Sequence, residues 1–291
     1  LSKIPRLFVT ARNSTFIFKG QPVKVREVGQ ELGVRYVLEG SVRKSGDRVR
    51  VTAQLIDVNT EQHVWADRYD RELKDVFAIQ DEITMNIIVA LQVKLTEGEQ
   101  AALRARGTYN LEAYLKFLQG MDYLNQMSKE GNILARQKYQ EAIVLSPEYT
   151  VAYGGIAWTY LLEAWLGWSV SPQQSIALAM EYARKCLGLD GSLSGAHAVL
   201  GHVYLVMRQW DKAVEECELA VSLHPNSADN IVFLAMVFRA VGRVEEALAL
   251  LNKAVRLNPM PPDFYLHEFG SCYRLMGRYD EAVAVLKRVL D

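Results

Sequence analysis

Apolar positions recur along this chain with two different periods, and the change of period divides it. Up to about Thr96 short apolar runs mix with strict alternation. Leu7 to Arg12 reads as a short strand, and Val23 to Leu32 places Val25, Val28 and Leu32 on one helical face ahead of Gly33, a good helix terminator. Arg35 to Arg43 alternates, with Tyr36, Leu38, Gly40 and Val42 on one side. After a Ser45-Gly46-Asp47 turn, Arg48 to Asp57 answers with Val49, Val51, Ala53 and Leu55, which predicts a hairpin. A further strand, His63 to Tyr69, follows the Asn59-Thr60 turn region. Asp75 then stands as the cap of a helix striped by Val76, Ile79, Ile83, Ile87 and Leu91. Helix, hairpin, strand and helix in that order predict an α+β domain, with helices on one face of a mostly antiparallel sheet.

Beyond Thr96 the period becomes helical. Thr96 and Glu99 form a capping box that opens a linker helix to Arg106, closed by Gly107. From Ala113 the helices come in pairs that repeat. Leu200, Gly201, Tyr204, Ala213, Ala220 and Pro225 return thirty-four residues later as Leu234, Ala235, Phe238, Ala247, Ala254 and Pro259. Such self-similarity marks helix pairs that cannot bury their apolar faces alone and must stack. These residue types at this spacing resemble the tetratricopeptide (TPR) motif. Gly201 and Ala220 let two helices approach, Tyr204 and Phe238 fill the gap, and the prolines stop the second helix. Five units are read, 113–149, 150–193, 194–227, 228–262 and 263–291, as an all-α superhelix. The second unit carries an insertion, Leu166 to Ser175, with Trp165 and Trp168 as candidate contact residues, set against the reading that both pack back onto the first helix. The fifth unit stops before its proline, so its last apolar face is expected to be covered by further chain, a partner or a second copy.

The segments ARNSTFIFKG, LGVRYVLEGSVRKSGDRVRVTAQLID, HVWADRYDREL and FAIQDEI resemble the TolB-like amino-terminal domain that bacteria fuse to TPR arrays. The likeness runs over roughly Ile4 to Leu95, and the domain is taken as residues 1–95 with a helical linker over 96–112. In that family another strand and helix precede the segment matching Leu7 to Arg12. Without them the sheet is expected to keep an unprotected edge, suited to pairing with another chain.

Composition excludes more than it suggests. Lys plus Arg number 33 against 34 acidic residues, which gives no field favouring nucleic acid or an anionic membrane. No apolar run reaches the roughly 18 to 20 residues of a membrane helix. Cys186, Cys217 and Cys272 are widely spaced and read as buried free thiols, which suits a reducing, cytoplasmic setting; a periplasmic one stays open if a membrane helix precedes Leu1 in a parent protein. His197 and His202 stand five apart on one helix, about 140° from each other, which is wrong for sharing a metal. Asp81 and Glu82 diverge on a helix and read as a solvated face. Arg43, Arg48 and Arg50 gather near the hairpin tip and read as a solvated strand face, with anion binding as the alternative. No catalytic, cofactor or metal site is read from the chain.

The TPR resemblance implies a concave wall built from the first helix of each unit. The wall residues are Tyr114, Phe117 and Met121 in unit one, Val151, Trp158 and Leu161 in unit two, and His202 and Leu205 in unit three. Asp229, Met236 and Arg239 continue it in unit four, and Phe264, His267 and Arg274 in unit five. Arg239 and Arg274 would favour an acidic peptide. The chain is therefore read as a noncatalytic protein or peptide interaction module, able to self-associate through its sheet edge or last repeat. The resemblance implies a bacterial multidomain signalling parent, such as one with a class III adenylate cyclase. A ligand-sensing input domain for a cyclase, kinase or DNA-binding output is the alternative.

Overall fold

In the computed structural model the described residues are 7–91, 108 and 110–289. They form two compact units, one carrying a sheet and the other a helical array.

The first unit opens with α1 (Arg12–Phe16) and α2 (Val25–Leu32), followed by β1 (Tyr36–Ser45), β2 (Arg48–Asp57) and β3 (Gln62–Glu72), then α3 (Val76–Ala90). The sheet is antiparallel in the order β1-β2-β3. Leu38 pairs with Leu55, Gly40 with Ala53 and Val42 with Val51, so the expected apolar positions share a face. The hairpin turns through Gly46 in the left-handed region at φ 58°. Asp57 accepts a bond from the Asn59 amide at 2.9 Å, which fixes the next turn. α3 covers the β2 and β3 part of that face, where Val49, Tyr69 and Ile79 form the core with Val51, Trp65 and Ile83. On β1 the same face is open, with Leu38 48% and Val42 70% exposed. Beyond β1 no further strand pairs among the described residues.

Two expectations for this unit are corrected. Leu7 to Arg12 is not a strand; residues 7–11 have no regular structure and Arg12 begins α1, because among the described residues no neighbouring strand completes its hydrogen bonds. Asp75 occupies the position before α3, but its side chain makes no capping bond, since a 3-10 turn over Leu73–Asp75 leads directly into the helix. The capping box and linker helix read over Thr96 to Arg106 lie outside the described residues.

The second unit contains ten helices among the described residues, α4 (Leu111–Leu124), α5 (Lys129–Leu145), α6 (Thr150–Trp165), α7 (Pro172–Leu189), α8 (Ser194–Val206), α9 (Trp210–Leu223), α10 (Ala228–Ala240), α11 (Val244–Leu257), α12 (Asp263–Leu275) and α13 (Tyr279–Lys287). They stack as five antiparallel pairs. Each pair meets through a small residue on its first helix. An added Cβ at Gly120 would lie 2.5 Å from the Tyr139 ring, one at Gly201 2.3 Å from Cys217 Sγ, and one at Gly270 2.7 Å from Leu286. Ala157 and Ala235 take that place in the other two pairs, both buried.

Each pair also turns at an equivalent left-handed residue, Met127, Gly167, Arg208, Gly242 or Gly277. In the last three units the following amide bonds back to the carbonyl of Tyr204, Phe238 or Tyr273 at 2.8 to 2.9 Å, closing the first helix. First helices touch one another, α6 with α8, α8 with α10 and α10 with α12, whereas second helices make no comparable contact with each other. The array therefore curves with its first helices on the inside.

Two stability effects follow. Gly201→Ala gains helix propensity of about 1 kcal/mol but forces a Cβ into Cys217, an overpacking cost of about 1 to 3 kcal/mol. A urea-denaturation double-mutant cycle with Cys217→Ala should show favourable coupling of about 1 kcal/mol or more, and additive effects would contradict the assigned contact. Arg208→Gly should stabilise by about 0.5 to 1 kcal/mol by relieving left-handed strain, whereas Gly242→Ala at the matching turn should destabilise.

Candidate interaction surface

The inner wall is built from side chains on α6, α8, α10 and α12. Asp229, Phe233 and Met236 recur at helical spacing on α10 and so share one face. Phe233 is the centre of the arrangement. Its ring lies 4.9 Å from Trp158, 5.2 Å from His202 and 6.3 Å from Phe264, between ring centres. Trp165 stands edge-on to Trp158 at 5.9 Å and to His202 at 4.8 Å, and Phe264 stands edge-on to Tyr265 at 4.7 Å. Edge-on and offset rings at these spacings each add about 0.5 to 1.5 kcal/mol beyond their buried area. Trp158, Phe233, Met236 and Phe264 keep part of their surface open. Trp158 and Phe233 belong to units two and four, and only the inside of the curve brings side chains of such units together.

His202 is drawn beneath this layer. It is fully buried, so it does not line an accessible wall as expected from its position in the repeat; it supports the rings above it. Nε2 lies 3.2 Å from the Phe233 carbonyl, which fixes the proton on that nitrogen, and Nδ1 has no hydrogen-bond partner. A positive charge there would be poorly solvated, and burial pushes the imidazole pKa down to about 4 despite the bond to Phe233. Trp165 is the last residue of α6 and packs inward on Trp158, in agreement with the reading that it packs back onto the first helix, and it does not sit in the inserted loop. That loop is Leu166 to Ser171, because Pro172 begins α7 and converts the rest of the insertion to helix. Trp168 lies in it, half-buried, and a hydrogen bond of 2.8 Å between the Ser169 and Ser175 hydroxyls closes it.

The first unit of the array does not join this cluster. Phe117 is 5.4 Å from both Tyr139 and Tyr149 and so fills the interior of its own repeat, with Tyr114 and Met121 packed around the same core. Arg239 donates from Nε to Glu268 at 2.8 Å, which neutralises it, while His267 and Arg274 remain exposed on α12. Arg48 and Arg50 at the hairpin both bind Asp70, at 2.9 and 2.7 Å, and hold its carboxyl below the usual range. His197 bridges Glu216 at 2.6 Å and the Gly191 carbonyl at 3.1 Å. The three cysteines are free and buried, and burial pushes the Cys186 and Cys272 thiols up to about 12 and 11. Among the described residues no group of His, Cys, Asp or Glu is placed to hold a metal ion.

Asp229 is exposed but stands among surrounding protein atoms, as a side chain on a concave wall does. This partial loss of hydration raises its pKa above the usual aspartate value, and a 2.7 Å bond donated by the Tyr265 hydroxyl opposes the rise. Neither Phe233 nor Glu268 was among the expected wall residues. Both lie one position after the fifth residue of their helix, on the side facing the preceding repeat, and the spacing Asp229, Phe233, Met236 marks that side in the sequence.

A fold of paired helices with this inner wall is that of TPR proteins. The crystal structure of a thermophilic TPR protein from Thermus thermophilus superposes with a TM-score of 0.50 at 20% identity, over 61% of this chain and 90% of that one. A family model described as anaphase-promoting complex, cyclosome, subunit 3 matches residues 206–289. The chain is 39% identical over 213 residues to putative adenylate cyclase 3 of Rhizobium meliloti (strain 1021), over 73% of this chain and 36% of that protein. It is 25% identical over 150 residues to the transcriptional regulator HilA of Salmonella typhimurium, over 52% of this chain and 27% of that protein. The chain thus spans about a third of the first relative and about a quarter of the second. No described helix is long and apolar enough to cross a membrane.

His202 gives this surface a pH dependence with a definite sign. Its pKa in the fold, about 4, lies below the ordinary histidine value of 6.5, so the unfolded chain binds the extra proton first as pH falls. The stabilisation is complete above about pH 6.5 and is lost as pH falls toward 4, on the order of 3 kcal/mol in all. Thermal melts between pH 7.5 and 4.5 should therefore fall more steeply for the native chain than for His202→Phe. Parallel curves would show that His202 is not the group responsible.

Proposed function

We propose that this chain is a noncatalytic protein-interaction module of a regulatory protein, and that the inner wall of its helical array receives an extended or helical segment of a partner. The observation that carries this reading is the aromatic layer of Trp158, Phe233 and Phe264. It is packed against a buried base, yet partly open on the side where units two to five converge. Rigid rings of this kind supply contact area at low ordering cost. Two relatives with different names, a putative adenylate cyclase and a transcriptional regulator, are each similar to part of this chain, while most of their own lengths lie outside the match. This supports an assembly or input role that serves more than one output. On that reading the first unit is a TolB-like domain and the parent a bacterial signalling protein, with the output chemistry carried by other residues of the parent.

A display library of peptides about twelve residues long, panned against the whole chain, tests the reading. Enriched peptides should perturb tryptophan fluorescence. They should bind Phe264→Ala or Met236→Glu at least about tenfold more weakly, provided thermal melts confirm that the variants remain folded. Failure to enrich any sequence, or binding indifferent to both substitutions, would count against the inner wall as the interaction surface.

A further inference from the structure

We infer that the partner segment received by this wall presents a lysine or arginine side chain, which Asp229 binds beside Phe233, Phe264 and Tyr265. The inference rests on the interaction reading above and fixes the chemistry of its ligand.

Four observations support it. First, Asp229 is an exposed carboxylate on the concave side, one helical turn before Phe233 on the same face of α10. Second, its hydrogen-bond partner is the neutral Tyr265 hydroxyl at 2.7 Å, and no Lys or Arg pairs with it among the described residues. The ion pairs elsewhere on the array are made locally, Arg239 with Glu268, Arg243 with Glu246 and Arg278 with Glu281. Asp229 has no such cation among the described residues. Third, the rings around it suit the same guest. Phe264 is edge-on to Tyr265 at 4.7 Å and near-parallel to Phe233 at 6.3 Å, and aromatic faces attract cations as a carboxylate does.

Fourth, the positive groups of the wall stand at its other end. Arg239 is ten residues along α10 from Asp229, and Arg274 ten residues along α12 from Phe264. At 1.5 Å per residue that is about 15 Å, beyond the Debye length of about 8 Å at physiological salt. They do not cancel the carboxylate, and one of them is already neutralised by Glu268. An acidic peptide would have Arg274 and His267 to meet and Asp229 to avoid. A basic residue meets an unpaired carboxylate in partly desolvated surroundings, where a charge-assisted bond is stronger than on an open surface.

Asp229 also sits in the first turn of α10, where a carboxylate favours the helix start. Binding and stability measurements on Asp229→Asn separate the two roles, because Asn keeps the acceptor for Tyr265 and removes the charge. The probe is a set of immobilised peptides of about ten residues with randomised neighbours and a central Lys, Arg, Glu, Asp or Leu, offered to the whole chain. The Lys and Arg pools should bind at least about tenfold more strongly than the Glu and Asp pools. Asp229→Asn should level that difference while its melting midpoint moves by no more than about 4 °C. Preference for acidic pools, or a preference for basic pools that survives in Asp229→Asn, overturns the inference. If all pools bind alike and Phe264→Ala weakens them all, the interaction surface stands and the inference about charge falls. If no pool binds, both fall together.

Discussion

The closest approach of two helices within each repeat is the constraint on which the array depends. It is set by a glycine or alanine on the first helix, Gly120, Ala157, Gly201, Ala235 and Gly270 in turn. Opposite the three glycines the residue on the second helix is in turn tyrosine, cysteine and leucine. At the bulkiest contact, Tyr139 is held between Gly120 and Gly155, whose absent Cβ atoms would lie 2.5 and 2.8 Å from the ring. A phenol so enclosed ionises only with difficulty, and burial raises its pKa far above the ordinary value. With pair spacing fixed in this way, the remaining apolar faces have one place to go, which is the next repeat. Each second helix then packs on the following first helix, and the first helices converge.

That convergence explains why the inner wall contains contacts that no single repeat could make. Trp158 reaches Phe233 across an intervening unit because His202 lies low enough to let it pass. Replacing a neutral buried imidazole by an ionised one would put a charge under two rings, Trp165 and Phe233, with one backbone acceptor to meet it. The fold keeps the base neutral, and the aromatic layer depends on its doing so. The ion pairs on the array are made within one helix or between neighbouring ones, so the surface offers short-range pairs in place of a broad field, in keeping with a chain of nearly balanced composition.

Periodicity made most of the scaffold legible. Alanines at a thirty-four-residue interval located the helix contacts, and alternation over Tyr36 to Leu55 located the hairpin and its apolar face. The errors share a cause: local pattern was asked to answer a tertiary question. Leu7 to Arg12 has the composition of a strand but no partner strand among the described residues, and Asp75 has the residue type of a cap but follows a 3-10 turn. His202 holds the position of a wall residue, yet Trp165 and Phe233 close over it. The insertion looked longer than its loop because the start of α7 at Pro172 could not be placed within a few residues from sequence. Phe233 was missed by a fixed list of wall positions, although its spacing from Asp229 and Met236 carried the signal.

On the proposed function, the two parts of the wall would contribute differently to recognition. The rings are packed on each other and on His202, so a guest meets surfaces whose ordering cost is borne by folding. Apolar burial against them is worth about 25 cal/mol per Å² and tolerates many sequences, because it has no direction. A lone carboxylate contributes less energy but has a position and a sign. It fixes which way a bound segment runs and penalises one that brings an acidic group to the same place. Affinity should therefore reside in the aromatic layer and selectivity in the few polar groups around it, at positions the TPR pattern leaves free to vary. The regular residues cannot take that part, since changing them disturbs the helix contacts from which the wall is made.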